Sequence, residues 1–84
     1  MNIDFHKNFK KKLRKLSPKI QNQFYKRLEI FIKDKNNKIL HNHSVDKTFT
    51  DCRSINVTGD YRAIFKENDN TVVFINIGTH SELY

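Results

Sequence analysis

The sequence predicts an α+β fold: two N-terminal helices packed on a three- to four-stranded antiparallel sheet, in the order β-α-α-β-β-β. Three observations point there. Apolar residues recur at helical spacing up to about residue 33, and from about residue 53 they alternate or run together as in strands. Ser17-Pro18 divides the helical part in two, and two turn clusters, Thr58-Gly59-Asp60 and Asn68-Asp69-Asn70, divide the rest into three strands. A helix pair with one apolar face and a sheet with one apolar face must cover each other, since neither can bury that face alone.

The elements follow in order. Ile3 and Phe5 alternate with polar neighbours, the mark of a short first strand that can join the meander. Phe9, Leu13 and Leu16 then recur at helical spacing, with Lys7, Lys10, Lys11, Lys12, Arg14 and Lys15 filling the other faces. Ser17 reads as the N-cap of a second helix and Pro18 as its first residue, where a missing N–H is harmless. That helix runs to about Lys33, with Ile20, Phe24, Leu28, Phe31 and Ile32 on its apolar stripe. Residues 34–38 carry no apolar side chain and end it. The stretch from Ile39 to Asp51 lacks a clear period and reads as a partly ordered loop. Arg53–Val57 alternates, Tyr61–Lys66 follows the first turn, and Thr71–Ile77 follows the second. This last strand is β-branched and apolar on both sides, as a strand buried inside a sheet should be.

Size and composition narrow the function. Eighty-four residues make one small domain spanning 1–84, with room for one modest core. That excludes a multidomain enzyme, and two glycines exclude both a collagen-like chain and a Gly-rich phosphate loop. The longest apolar run, Val72-Val73-Phe74-Ile75, is far short of the ~20 residues that span a bilayer. No apolar targeting segment opens the chain, and Cys52 is alone, so a reducing cytoplasmic setting is expected, with no membrane partner. The net charge of +7 is lopsided. Residues 1–40 hold twelve Lys/Arg against three acids, a balance of +9, and residues 41–84 hold four against six, a balance of −2. Such a field suits a polyanion or an acidic protein partner; its plain alternative is a solvated helix surface.

Several residues stand out chemically. His41 and His43 would lie on one side of an extended chain, but zinc would need further ligands, and no recognisable metal-site spacing supplies them. His6 reads as a surface or capping residue. His80 follows Gly78-Thr79 at the exit of the most apolar strand, where a side chain is held firmly. Alternation through Tyr61 puts Asp60 and Arg62 on one face as a carboxylate–guanidinium pair, which is equally the pattern of a surface ion pair. No nucleophile elbow surrounds any serine.

The run Arg53-Ser54-Ile55-Asn56-Val57-Thr58-Gly59-Asp60-Tyr61-Arg62-Ala63-Ile64-Phe65 and the ending Ile77-Gly78-Thr79-His80-Ser81-Glu82-Leu83-Tyr84 resemble the RelE/ParE toxin superfamily. The ending is similar to that of its YafQ-like branch, and the resemblance covers about residues 3–84. It implies a type II toxin with the RelE-like fold: a metal-independent, cofactor-free endoribonuclease that cuts messenger RNA in the ribosomal A site and is silenced by a cognate antitoxin. It also implies catalytic roles for His80, Asp60, His43 and Arg62. RNA contacts would fall to Lys10, Lys11, Arg14 and Lys15 on the first helix and to Arg53 and Asn56 on the strand after the loop. One position departs from the branch: Asn56 stands where a further histidine is expected, and an amide cannot exchange a proton at neutral pH.

The residue types suit that chemistry. The RNA 2′-OH attacks the adjacent phosphate, so the protein must supply a base, an acid and a cation for the developing charge. Histidine serves either proton-transfer role because imidazole ordinarily titrates at about 6.5. Two other classes remain at this stage. One is a non-enzymatic inhibitor like the ParE side of the superfamily, which binds a topoisomerase. The other is a simple basic RNA-binding module, although Phe5, Phe9, Phe24, Phe31 and Phe74 fall on core stripes and leave few rings for base stacking.

Overall fold

The computed structural model describes residues 1–84, and its N-terminal half follows local sequence rules closely. Strand β1 (Asn2–Phe5) leads into helix α1 (Lys7–Lys15). His6 caps α1, its Nδ1 accepting the Asn8 N–H at 3.1 Å. Phe9 and Leu13, four residues apart, are the buried side chains of α1, and its lysines and arginine stay exposed. The Ser17 hydroxyl accepts the Ile20 N–H, and Pro18 opens helix α2 (Pro18–Lys33). Phe24 and Phe31, two turns apart, are fully buried, with Ile20 and Leu28 half-buried beside them. Ile32 departs from the expected stripe and is 53% exposed, because one residue beyond Phe31 is rotated by about 100° around the helix. No helix is long and apolar enough to cross a membrane.

The C-terminal half forms the sheet. A single 3₁₀ turn at Lys38–Leu40 buries Leu40, and strands β2 (His43–Ser44), β3 (Cys52–Asn56), β4 (Tyr61–Asn68) and β5 (Thr71–Thr79) follow. A four-residue helix α3 (His80–Leu83) ends the chain. The strand order is β1-β5-β4-β3-β2, five strands rather than three or four. The sheet is mixed, because β1 pairs with β5 in parallel while every other pair is antiparallel. The parallel pair follows from connectivity: the chain leaves β1, crosses the sheet as α1 and α2, and closes the meander beside β1 running the same way. The fifth strand is β2, inside the stretch read as loop. Two residues are too few to show alternation, and β2 exists through its pairing with β3, His43 opposite Ser54 and Ser44 opposite Arg53.

One face of the sheet carries the main core. Ile55, Val57, Ala63, Phe65, Val72, Phe74 and Ile77 meet Phe9, Leu13, Phe24 and Phe31 from the helices. Phe74 sits at its centre, against Phe5, Phe9, Phe24, Phe31 and Phe65 with ring centroids 5.4–5.8 Å away. Each fully buried phenylalanine contributes roughly 1.5–3 kcal/mol. Between Ile64 and Phe65 the register slips: Ile64 faces Asn76, Phe65 faces Phe74, and Ile75 is the extra residue of a bulge. The opposite face carries a smaller cluster of Val45, Cys52, Ile64 and Leu83, covered by the β2–β3 loop and α3 instead of long helices. Burial there pushes the Cys52 thiol up from its ordinary range. This face, turned away from α1 and α2, positions the site.

Candidate active site

Residues directly opposite in neighbouring strands project to the same side of a sheet. His43 faces Ser54, Ser54 faces Ile64, and Asn56 faces Arg62, so His43, Ser54, Asn56 and Arg62 share with Ile64 the face turned away from α1 and α2. At the end of β5, Thr79 caps α3 through a reciprocal box. Its hydroxyl accepts the Glu82 N–H at 3.2 Å, and the Glu82 carboxylate accepts the Thr79 N–H at 2.8 Å. The Thr79 backbone N–H, and after it the Thr79 hydroxyl, hold the Glu82 carboxyl below the usual carboxylate range. The box fixes the turn whose first residue is His80. His80 and Tyr84, four apart, bring their rings to a centroid separation of 4.9 Å.

The result is an open cleft of about 380 Å³ with His43, Arg62 and His80 in its wall, together with Lys47 and Tyr84. Three residues that are dispersed in sequence thus meet: one from a two-residue edge strand, one from the middle strand, one from the exit of β5. Arg62 is partly committed. Its Nη1 donates to the carbonyls of Gly59 at 3.0 Å, Thr58 at 3.1 Å and Tyr61 at 3.3 Å. All three bonds use one terminal nitrogen, so Nε and Nη2 keep their donors for an anion. Lys47 adds a second cation at the wall.

Asp60 behaves differently from its sequence expectation. It belongs to the turn before β4, so strand alternation does not extend to it, and it forms no ion pair with Arg62, whose nitrogen is taken by turn carbonyls. Its carboxylate is exposed and outside the cleft wall. Its backbone does reach the site, accepting the His80 N–H at 3.0 Å. Asn56 lies across from Arg62, and its Oδ1 is buried with no partner, as is the hydroxyl of the fully buried Ser54.

The residues expected to contact RNA divide. Lys10, Lys11, Arg14 and Lys15 are all exposed on α1. Lys12 and Lys15 border a small opening beside Gly78 and Glu82, so the basic face of α1 runs up to the base of α3. Arg53 faces Phe65 on the other side of the sheet from the cleft, and its guanidinium is held by Asn42, Nε to Oδ1 at 2.8 Å. The His41 and His43 rings do approach each other, with centroids 5.0 Å apart and planes tilted by 53°, but no group of three or more His, Cys, Asp or Glu side chains is placed to hold a metal. Lys47 and Tyr84 escaped the sequence reading. Their spacing signal is weak, since Tyr84, four residues from His80, meets it only if the last residues turn into a helix.

Comparison with known proteins fits this geometry. A family model described as the bacterial toxin of a type II toxin–antitoxin system, YafQ, matches residues 1–84. No curated protein matches the sequence. Among solved structures, YafQ from E. coli strain BL21(DE3) superposes with a TM-score of 0.81 at 18% identity, covering 99% of this chain and 97% of that one. The intact E. coli RelBE toxin–antitoxin complex matches with a TM-score of 0.72 at 23% identity, covering 93% and 94%. A YoeB/ParE toxin from Agrobacterium tumefaciens matches with a TM-score of 0.76 at 7% identity, covering 95% and 99%. The helix pair on a sheet is therefore the RelE-like fold, and the chain belongs to the YafQ family of bacterial type II toxins.

Proposed function

We propose that this toxin is an endoribonuclease that cuts messenger RNA in the ribosomal A site, using the RNA 2′-OH as nucleophile. The observation that carries the reading is the meeting of His43, Arg62 and His80 in one cleft. Two imidazoles beside a guanidinium are the groups an in-line attack on phosphate requires: a base, an acid and a fixed cation. Arg62 takes the non-bridging oxygens with the donors that the turn carbonyls leave free, and Lys47 supplements its charge. Asp60 acts from the rim, where an exposed carboxylate can reach an RNA chain that overhangs the cleft. No metal or cofactor enters the mechanism. DNA is inert to it for lack of the 2′-OH.

The basic helix recruits. Lys10, Lys11, Arg14 and Lys15 hold phosphates of ribosomal RNA, making affinity steeply salt-dependent. Arg53 and Asn56 contact RNA only if the strand edge or side chains adjust, since Arg53 is bound to Asn42 and Asn56 lies beneath the face. A cognate antitoxin silences the toxin, as membership of a type II system and the RelBE complex of E. coli suggest. Its chemistry should be acidic or amphipathic to oppose a +9 half. The toxin acts in the cytoplasm, where ribosomes are.

The test is to induce the wild type and His80→Ala in growing cells and map new message 5′ ends. Codon-periodic ends that vanish in the variant support the nuclease. Undiminished growth arrest by the variant, with no new ends, points instead to a non-enzymatic inhibitor.

A further inference from the structure

We infer that the left-handed backbone of His41 sets the proton position on His43, which makes His41 a positioning residue for the reaction proposed above, on which this step rests. The 3₁₀ turn Lys38–Leu40 is anchored by buried Leu40 and capped by the Asn37 side chain, which accepts the Ile39 N–H at 3.1 Å. His41 ends that turn at φ 48°, ψ 50°, a left-handed conformation rare for a residue with a Cβ. The other two such residues are Asp51 and Asp69, and aspartate and histidine are both among the side chains that tolerate this region best. His41 is exposed, and as the cap of the turn it donates its backbone N–H to the Lys38 carbonyl at 3.2 Å. What the conformation accompanies is a backbone contact: the His41 carbonyl lies 2.7 Å from Nδ1 of His43.

A carbonyl can only accept, so Nδ1 carries the hydrogen. A neutral imidazole has one ring proton, and Nε2 is then an acceptor. In that neutral form His43 enters the reaction as a base. Nε2 takes the 2′-OH proton, the O2′–P bond forms and the P–O5′ bond breaks. His80, entering as an imidazolium, gives its proton to the departing O5′. Proton count and charge balance across the step: His43 ends as the cation and His80 as the neutral ring. Throughout, the His41 carbonyl keeps accepting from Nδ1 and stabilises the cation that forms. The arrangement is that of any histidine whose second nitrogen is held by a backbone carbonyl; here the carbonyl belongs to the residue two positions back, aimed by the left-handed end of the 3₁₀ turn.

The test uses full-length protein in four forms: wild type, His41→Gly, His41→Asn and His41→Val. Glycine and asparagine tolerate the left-handed region, whereas a β-branched valine resists it. Ring ¹⁵N shifts of His43 are read at about pH 8, above the usual imidazole range, and single-turnover cleavage is read on programmed ribosomes. Wild type, Gly and Asn forms should show Nδ1–H with a free Nε2 and cleave at similar rates. The Val form should show mixed tautomers and cleave at least tenfold more slowly, with the concentration for half-maximal rate unchanged. Nε2–H in the wild type, or a Val form that keeps both tautomer and rate, overturns the inference. The wild-type shifts alone can do so, even if the Val form fails to fold. The expected shifts in a wild type that cleaves no RNA would sink the nuclease reading while supporting the tautomer assignment.

Discussion

The His80 N–H donates to the Asp60 carbonyl at 3.0 Å, joining the exit of β5 to the turn between β3 and β4. Two residues expected to cooperate through side chains are thus coupled through backbone, which any residue at position 60 can provide. Asp60→Asn should therefore leave stability within about 0.5 kcal/mol of wild type, as exposed substitutions do. If the carboxylate acts on RNA from the rim, cleavage should fall by about 10²-fold or more. Urea unfolding and a cleavage assay on the same preparation separate the two effects, and unchanged cleavage would remove Asp60 from the mechanism.

Arg62 serves two masters, the turn carbonyls and the phosphate. Arg62→Lys keeps the charge but has one nitrogen for both tasks. It should slow cleavage by about 10²–10³-fold, the usual effect of losing a transition-state donor. Stability should drop by only about 1 kcal/mol, because the lost bonds lie at the half-exposed edge of a turn. A lysine form that cleaves like wild type would show that a point charge suffices.

Much of this arrangement was legible beforehand, and the misses share a cause. The Ser17-Pro18 boundary, the Phe9–Leu13 and Phe24–Phe31 spacings and the two turns are local signals, and they lie where expected. Ile32 was misplaced because a five-residue apolar list spans more of a helix surface than one core can cover. β2 and α3 were missed because two and four residues carry no period; both are defined by neighbours, β3 in one case and a capping box in the other. The parallel pairing of β1 is likewise invisible in a strand of four residues. For the site, residue types pointed to His43, Arg62 and His80, while the commitment of Arg62 to carbonyls and of Arg53 to Asn42 depends on tertiary geometry.

Ser54 offers a stability test of the face beneath the cleft. Its hydroxyl is fully buried without a partner, a situation that destabilises a fold by about 1–3 kcal/mol per group. Ser54→Ala removes the orphan and leaves only a one-atom gap. The variant should match or exceed wild-type stability, by up to about 1 kcal/mol in urea unfolding. A loss above 1 kcal/mol would reveal a bound water satisfying the hydroxyl.

Acid should loosen α3 before the rest of the fold. The Glu82 carboxyl is depressed by the Thr79 N–H and hydroxyl, so its contribution is present above the ordinary carboxylate value of about 4.3. That contribution is lost as pH falls through the lower folded value. Amide exchange at Thr79 and Tyr84 should therefore accelerate in that window, beyond its intrinsic pH dependence, while the Phe74 amide stays protected. Glu82→Gln, which still accepts but does not titrate, should abolish the excess. An identical pH response in both forms would contradict the capping role.

The central claim is that the RNA supplies its own nucleophile and the His43–Arg62–His80 cleft supplies the proton transfers and the cation. The most direct measurement places a message with a single 2′-deoxy nucleotide at the cleaved position in programmed ribosomes and adds wild-type toxin. Cleavage should disappear at that position, while the all-ribose message yields an upstream product ending in a 2′,3′-cyclic phosphate or the 3′-phosphate from its hydrolysis. Undiminished cutting of the 2′-deoxy message, leaving a 3′-OH, would mean that water or a protein group is the nucleophile and would contradict the account.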